Sequence, residues 1–234
     1  MRRSSWLSTL AGLGGCLVPA LASAGAITGT VTVAVPPVPS RAAILVDAHV
    51  CGQTDPVYAR RVEIDALGAA AGVVVSLERL EGPWPKLKKL TPRSAVIDQK
   101  NCTFVPRVLA VSSGTEVRFR NSDPLFHSVH ARRPDGSTLV SFAMPLAGQE
   151  IPAFVAKGPG PIELTCDAGH TWMRAQVEIF EHPYFDLTNA RGAFRIDAVP
   201  PGRYRLIARH PDLGRREISL DVGARGRQVI KVEF

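Results

Sequence analysis

Apolar and polar residues alternate in short runs along most of this chain. The segments Arg174–Phe180 and 203–208 (Arg-Tyr-Arg-Leu-Ile-Ala) alternate most regularly. These runs are rich in Val, Ile, Thr and Phe and are separated by turns with Gly, Pro and Asp, as half-buried β-strands are. No window has a sustained i, i+3, i+4, i+7 apolar stripe of helical length. The sequence therefore predicts an all-β chain made of β-sandwiches.

The predicted strands group into three regions. Region 25–90 holds strands and a Pro-rich tip, region 94–182 holds every candidate metal ligand, and region 183–234 is a β tail. A lysine-rich stretch with prolines, residues 83–92, is a predicted connector or exposed edge. The predicted strands lie near 26–35, 42–47, 59–64, 72–79, 94–99, 107–112, 115–120, 127–131, 139–142, 150–155, 161–166, 174–180, 192–198, 203–210, 215–222 and 227–233.

Residues 1–24 have the pattern of a secretory signal peptide. Two arginines follow Met1, an apolar stretch begins at Trp6, and small residues precede Ala24. We predict cleavage after Ala24, which makes the protein periplasmic or secreted, without a transmembrane span after cleavage. Lipoprotein processing at Cys16 is a less favoured alternative. Export places the chain in an oxidising compartment.

The formal net charge of the 234 residues is +7. A solvated basic surface is the favoured interpretation, and docking to an acidic partner or to anionic lipid is the alternative. Nucleic acid is not an expected partner, because no Lys/Arg-rich block is interleaved with aromatics. The nucleophile, zinc-protease and phosphate-loop motifs of common enzymes are absent from the sequence, so no enzymatic activity is expected.

One short stretch combines three side chains that bind copper. Cys166, His170 and Met173 supply a thiolate, an imidazole and a thioether within eight residues, and His127 supplies a second imidazole upstream. Two histidines, a cysteine and a weak axial methionine form the ligand set of a mononuclear blue-copper site. The sequence thus predicts one copper ion held at the end of a β-sandwich.

His130 competes with His127 for the first imidazole position. On a strand, residues three apart point to opposite faces, so only one of the two can be a ligand. His127 is the favoured ligand, because it follows the loop Asn121–Phe126 and opens the strand. His130 is then expected outside the metal's coordination sphere.

Three cysteines follow the leader, and an odd number leaves one thiol over. We predict a disulfide between Cys51 and Cys102, with Cys166 free to bind the metal. Pairing of Cys166 with either of the other two would destroy the copper site. Two free thiols at Cys51 and Cys102 are a further alternative.

Residues 94–182 resemble a cupredoxin, the plastocyanin-like Greek-key fold. The resemblance is carried by Ala95–Pro106, Val108–Phe119 and the loop Asn121–His127, followed by the ligand turn at 166–173. It implies that His127, Cys166, His170 and Met173 bind copper. It also implies that His170 lies near the surface, ringed by apolar side chains, where electrons pass. Phe126 and Trp172 are expected to flank the metal.

The spacing of the ligand turn departs from that of plastocyanins. They have Cys-x2-His-x4-Met, whereas this chain has Cys-x3-His-x2-Met. The present spacing resembles half of the dinuclear copper loop of cytochrome oxidase subunit II. That loop has another cysteine four residues earlier, where this chain has Ile162. A dinuclear centre is therefore not expected, and the bond from Met173 is the least secure of the four.

Residues 182–206 resemble the second half of a carboxypeptidase regulatory-like domain, a transthyretin-like β-sandwich. Ile27–Val31 and Gly72–Leu77 resemble its first half, although they precede the copper region. A tail of this size buries too little surface to be stable alone. We therefore predict one discontinuous sandwich, built from 25–90 and 183–234, with the copper region inserted.

The chain as a whole resembles exported cupredoxins with a carboxypeptidase regulatory-like portion, of the methylamine-utilisation type. This resemblance implies a protein that carries one electron to or from a redox partner. The alternatives are a structural or adaptor protein with a vestigial copper site, and a protein that stores or delivers copper.

Overall fold

A computed structural model describes residues 24–52, 57–60, 62–85, 93–224 and 226–234. The predicted leader, with Cys16, lies outside these residues except for Ala24, and so does most of the lysine-rich connector. Within the described residues, no helix has the length and apolar character needed to cross a membrane.

The described chain is all-β, which confirms the predicted fold class. Its one short helix is α1 (Ala48–Cys51). The strands are β1 (Gly25–Thr32), β2 (Ser40–Arg41), β3 (Tyr58–Arg60), β4 (Val74–Arg79), β5 (Ser94–Lys100), β6 (Thr103–Val105), β7 (Val108–Ser112), β8 (Glu116–Asn121), β9 (His127–Arg132), β10 (Thr138–Met144), β11 (Glu150–Val155), β12 (Gly160–Thr165), β13 (Arg174–Phe180), β14 (Phe185–Leu187), β15 (Ala193–Val199), β16 (Gly202–His210), β17 (Gly214–Val222) and β18 (Arg227–Glu233).

Strands β5 to β13 form what we call the central sandwich. One sheet has the order β10-β9-β12-β13-β7 and the other the order β11-β8-β5-β6. Alternate residues of β9 are buried, which is the period-two pattern of a strand with one face on a core. Phe104, Phe119, Val129, Leu164 and Val177 are fully or almost fully buried between the sheets.

The remaining strands, apart from β2 and β3, form what we call the flanking sandwich. Its sheets are β15-β1-β18 and β14-β4-β16-β17, so strands from both ends of the chain share one core. Strand β1 pairs with β15 and β18. The backbones approach so closely that a Cβ added at Gly29 would lie 2.1 Å from the carbonyl oxygen of Ile230. Ion pairs Arg107–Asp212 and Arg209–Glu178 join the two sandwiches.

The predicted strand at 42–47 was wrong. Strand β2 ends at Arg41, and the chain then runs without strand pairing to α1. Asp47 has a φ of 49°, a left-handed conformation that a strand does not use. The apolar run Ile44-Leu45-Val46 resembles a strand, yet Leu45 is 86% exposed. Residues 42–52, which we call the strap, instead lie against the end of the central sandwich.

Candidate metal centre

Three buried donor side chains converge at one end of the central sandwich. His127 opens β9, Cys166 directly follows β12, and His170 lies in the loop that leads to β13. Nδ1 of His127 lies 3.1 Å from Nδ1 of His170. Sγ of Cys166 lies 4.0 Å from the first nitrogen and 3.7 Å from the second. The structure thus brings together three of the four side chains that the sequence predicts as ligands.

The spacing of these donors suits one metal ion. Bonds of about 2.0 Å to nitrogen and about 2.3 Å to sulfur place the donors of a trigonal plane about 3.5–3.7 Å apart. The three observed separations, 3.1, 3.7 and 4.0 Å, bracket this spacing. Two imidazoles and one thiolate are the in-plane set of a blue-copper centre. The side chains present therefore fit copper.

Cys166 is free to bind a metal ion because the other two described cysteines are bonded to each other. A disulfide joins Cys51 to Cys102, and Cys166 is a buried free thiol. The backbone N–H of Ser128 donates a hydrogen bond to Sγ of Cys166 at 3.3 Å. The N–H of Asp167 donates to the Ser128 hydroxyl at 2.7 Å, which ties the ligand loop to β9.

Cys166 and His127 each stabilise the charged form of the other. Burial alone would raise the pKa of the Cys166 thiol, but hydrogen bonds with His127 and His170 outweigh it and lower that pKa to about 5. Burial alone would lower the pKa of His127, but hydrogen bonds with Asp123 and Cys166 raise it to about 9. Near neutral pH the metal-free chain therefore holds a thiolate beside an imidazolium.

A carboxylate holds the far side of the His127 ring. Nε2 of His127 lies 2.9 Å from Oδ2 of Asp123, which is four residues earlier in the loop that precedes β9. Asp123 also accepts hydrogen bonds from the backbone N–H groups of Asn101 and Cys102, at 2.7 and 2.8 Å. Carboxylates in this position fix the orientation of a metal-binding imidazole and raise its basicity.

A second carboxylate holds His170 in the same way. Nε2 of His170 lies 3.0 Å from Oδ2 of Asp47, which belongs to the strap. Val46 packs at the same place, since a Cβ added at Gly169 would lie 3.4 Å from Cγ2 of Val46. His170 is 0% exposed. His170 was expected near the surface, and the structure shows that the strap covers its ring completely.

The disulfide fastens the strap beside the metal centre. Cys51 ends α1, four residues after Asp47, and its partner Cys102 is completely buried. The N–H of Cys102 bonds to Asp123, and its carbonyl oxygen accepts a hydrogen bond from the indole of Trp172 at 3.0 Å. The disulfide thus links the strap, which carries Asp47, to the segment whose backbone N–H groups bind Asp123.

Of the two aromatic residues expected to flank the metal, Trp172 packs against His170 and Phe126 lies on the surface. The Trp172 ring packs edge-on against His170, with centroids 5.3 Å apart, and is 5% exposed. Phe126, next to His127, is 51% exposed and therefore lies on the surface.

The structure contains two buried thioethers in this core. Met173 is 1% exposed, packs in the same cluster as Cys166, and its N–H donates to the carbonyl of His170 at 2.8 Å. Met144 is completely buried and lies directly opposite His127 on the neighbouring strand. Side chains opposite each other on paired strands are neighbours on one face. The axial role of Met173 stays a prediction, and Met144 is its competitor.

His130 lies outside the ligand cluster. Its Nδ1 faces Asp167 at 2.6 Å and Arg132 at 2.7 Å, and its Nε2 faces the Thr138 hydroxyl at 2.9 Å. The position of His130 outside the cluster agrees with the choice of His127 as the ligand from strand periodicity.

Sequence reasoning missed three residues of this site: Asp47, Asp123 and Met144. Asp123 had a signal, since a carboxylate lies four residues before the candidate ligand His127 in a loop. Met144 could be found only through the register of β9 and β10. Asp47 had no signal, because 123 residues separate it from His170.

No family model and no curated protein sequence matches the chain. Among solved structures, it is similar to a reduced amicyanin variant with tyrosine in place of a tryptophan. The two are 20% identical, with a TM-score of 0.34, over 39% of this chain and 87% of that one. Amicyanin from Paracoccus versutus is 17% identical, with a TM-score of 0.33, over 37% and 81% of the two chains.

Proposed function

We propose that this protein is an exported, mononuclear copper protein that carries single electrons. The observation that supports the proposal best is the buried cluster of His127, Cys166 and His170, whose donor atoms lie 3.1–4.0 Å apart. Bound copper would supply a one-electron couple between its two common oxidation states. Met173 is the proposed axial ligand.

The protein's part in electron transfer is to keep the ligand geometry fixed. Each imidazole is held at its outer nitrogen by a carboxylate, Asp123 or Asp47. The sulfur of Cys166 accepts a backbone hydrogen bond from Ser128. Ligands locked by packing and by outer hydrogen bonds move little when the charge of the site changes. Such a site favours rapid electron exchange.

Export is supported by the leader-like residues 1–24 and by the disulfide, because structural disulfides persist in oxidising compartments. The partner of an exported electron carrier would be another redox protein. We propose a carrier and not an enzyme.

Electrochemistry of the copper-loaded protein tests the proposal and separates it from the alternatives. A carrier should give a reversible one-electron wave, and H127Q should abolish it. The matched variant H130Q removes an imidazole outside the cluster and should keep it. A delivery protein would bind Cu(I) and lose it readily to a chelator, and an adaptor would fold and bind its partner unchanged as C166S. Either of these results, without a reversible wave, would contradict the proposal.

A further inference from the structure

A large basic cavity lies between the two sandwiches, beside the ligand loop. Its volume is about 910 Å³, within the range of binding sites at domain interfaces. Thr171, which directly follows His170, is part of its wall. Four guanidinium groups and two carboxylates line it: Arg107, Arg132, Arg133, Arg174, Glu163 and Asp212.

The charges that line this cavity do not balance. Four arginines face two acids, which leaves a net charge of about +2. The ion pair between Arg174 and Glu163 is exposed, with about 60% of each side chain accessible, so it competes weakly with an incoming anion. Burial lowers the pKa of Arg107, although the nearby carboxylates of Asp212 and Glu63 raise it.

One arginine is held in place before any ligand arrives. A guanidinium nitrogen of Arg132 lies 2.7 Å from Nδ1 of His130, and another donates to the Thr165 hydroxyl at 3.5 Å. His130 is in turn fixed by Asp167 and Thr138. A guanidinium whose position is fixed loses less entropy when it binds a carboxylate. This gives the imidazole outside the metal centre a structural role.

We propose that this cavity is the docking site for an acidic segment of the redox partner. Arginine binds carboxylates through paired N–H groups, and several arginines in a concave site select a segment with several carboxylates. A protein segment is favoured over a free anion because Thr171 and Arg174 belong to the ligand loop and its continuation, so a bound partner would lie close to the metal. The inference rests on the proposed electron-carrier function.

Binding of a labelled oligo-glutamate peptide tests the inference in the full chain, metal-free and copper-loaded. The variant R133Q/R174Q removes two charges from the cavity. The variant R195Q/R203Q is the matched control, since it removes two exposed, ion-paired arginines that do not line the cavity. Thermal unfolding of both variants checks that they remain folded.

We expect the wild type to bind the peptide with an affinity that falls as salt is added. R133Q/R174Q should bind about ten-fold more weakly, while R195Q/R203Q should stay within about two-fold of the wild type. Equal losses in the two variants would overturn the inference, because they would reflect net charge alone. Citrate that competes at the same affinity as the peptide would also overturn it, in favour of a site for a free polycarboxylate.

Rates of electron transfer distinguish a failure of the docking site from a failure of the proposed function. Oxidation of the reduced copper protein by the anionic hexacyanoferrate(III) should slow in R133Q/R174Q and not in R195Q/R203Q. Oxidation by a cationic cobalt complex should not slow. If the wild type gives no copper couple, the proposed function fails, whereas a normal couple with equal rates in both variants refutes only the docking site.

Discussion

The carboxylate of Asp47 lies 3.0 Å from Nε2 of His170, although 123 residues separate the two in the chain. The central sandwich therefore does not complete its own metal centre. A segment from the N-terminal part of the chain covers one ligand and holds its outer nitrogen. This relationship makes the strap a part of the metal centre, and the disulfide Cys51–Cys102 fastens it there.

Removing the charge of Asp47 should weaken copper binding. D47N is expected to lower the affinity about 10–100-fold, as loss of an outer carboxylate does in other metal sites. The reduction potential should rise, because the carboxylate stabilises the more highly charged copper ion. Chelator competition and voltammetry measure the two effects. The control is D167N, which breaks a similar bond to an imidazole outside the cluster. Equal effects in D47N and D167N would contradict this role.

The clustering of His127, Cys166 and His170 could be predicted from the sequence, whereas the cover over His170 could not. Cys166 and His170 are close in sequence, and strand periodicity separates His127 from His130. The strap was mistaken for a strand because Ile44, Leu45 and Val46 are typical strand residues. Its course is set by the disulfide and by the contact of Asp47 with His170, and neither leaves a periodic signal.

The strands of the two sandwiches also divide into those that the sequence predicts and those that it does not. Alternation located most strands, but the short β2, β6 and β14 were missed, because two or three residues are too few to show a period. Family resemblance suggested one sandwich from regions 25–90 and 183–234, but no local pattern predicted that β1 pairs with β15 and β18. Strand pairing between residues about 200 positions apart depends on tertiary packing.

Replacing the two buried methionines in turn should identify the axial ligand. M173L is expected to raise the reduction potential and shift the absorption spectrum, because leucine keeps the volume of methionine and removes its sulfur. M144L is the matched control and should leave both unchanged. Each variant should lose less than about 1.5 kcal/mol of stability. Spectral change in M144L alone would transfer the axial role to Met144.

The Cys166 thiol of the metal-free protein should titrate in acid. Its pKa is lowered to about 5, so thiolate absorbance in the ultraviolet should persist at neutral pH and disappear as the pH falls through about 5. H127Q should move this midpoint upward, since it removes the main hydrogen-bonding cation, while H130Q should not. A wild-type midpoint near the ordinary thiol value of 9.0 would refute the thiolate–imidazolium pair.

The same groups should make stability depend on pH in the metal-free protein. The folded pKa of Cys166 is below its unfolded value, so its contribution is complete above about 9 and is lost as the pH falls through about 5. The pKa of His127 is raised, so its contribution is complete below about 6.5 and is lost as the pH rises through about 9. Urea unfolding should therefore show lower stability at pH 5 than at pH 7. In C166S this fall should be smaller, and an equal fall in both proteins would exclude the thiolate as its cause.

Removal of the disulfide should loosen the strap. The double variant C51A/C102A, which leaves no thiol to mispair with Cys166, is expected to lose about 4 kcal/mol of stability, because the bond closes a loop of 51 residues. Copper should also pass faster to a chelator, since Asp47 would no longer be held at His170. Unchanged rates of copper loss would show that the strap stays closed without the bond.

The central claim is that His127, Cys166 and His170 bind a single copper ion, and the absorption spectrum of the oxidised, copper-loaded protein with its copper content measured alongside tests it most directly. One copper per chain with an intense thiolate-to-copper(II) band is the predicted result. Copper-loaded protein without that band, or with a band that survives in C166S, would contradict the claim.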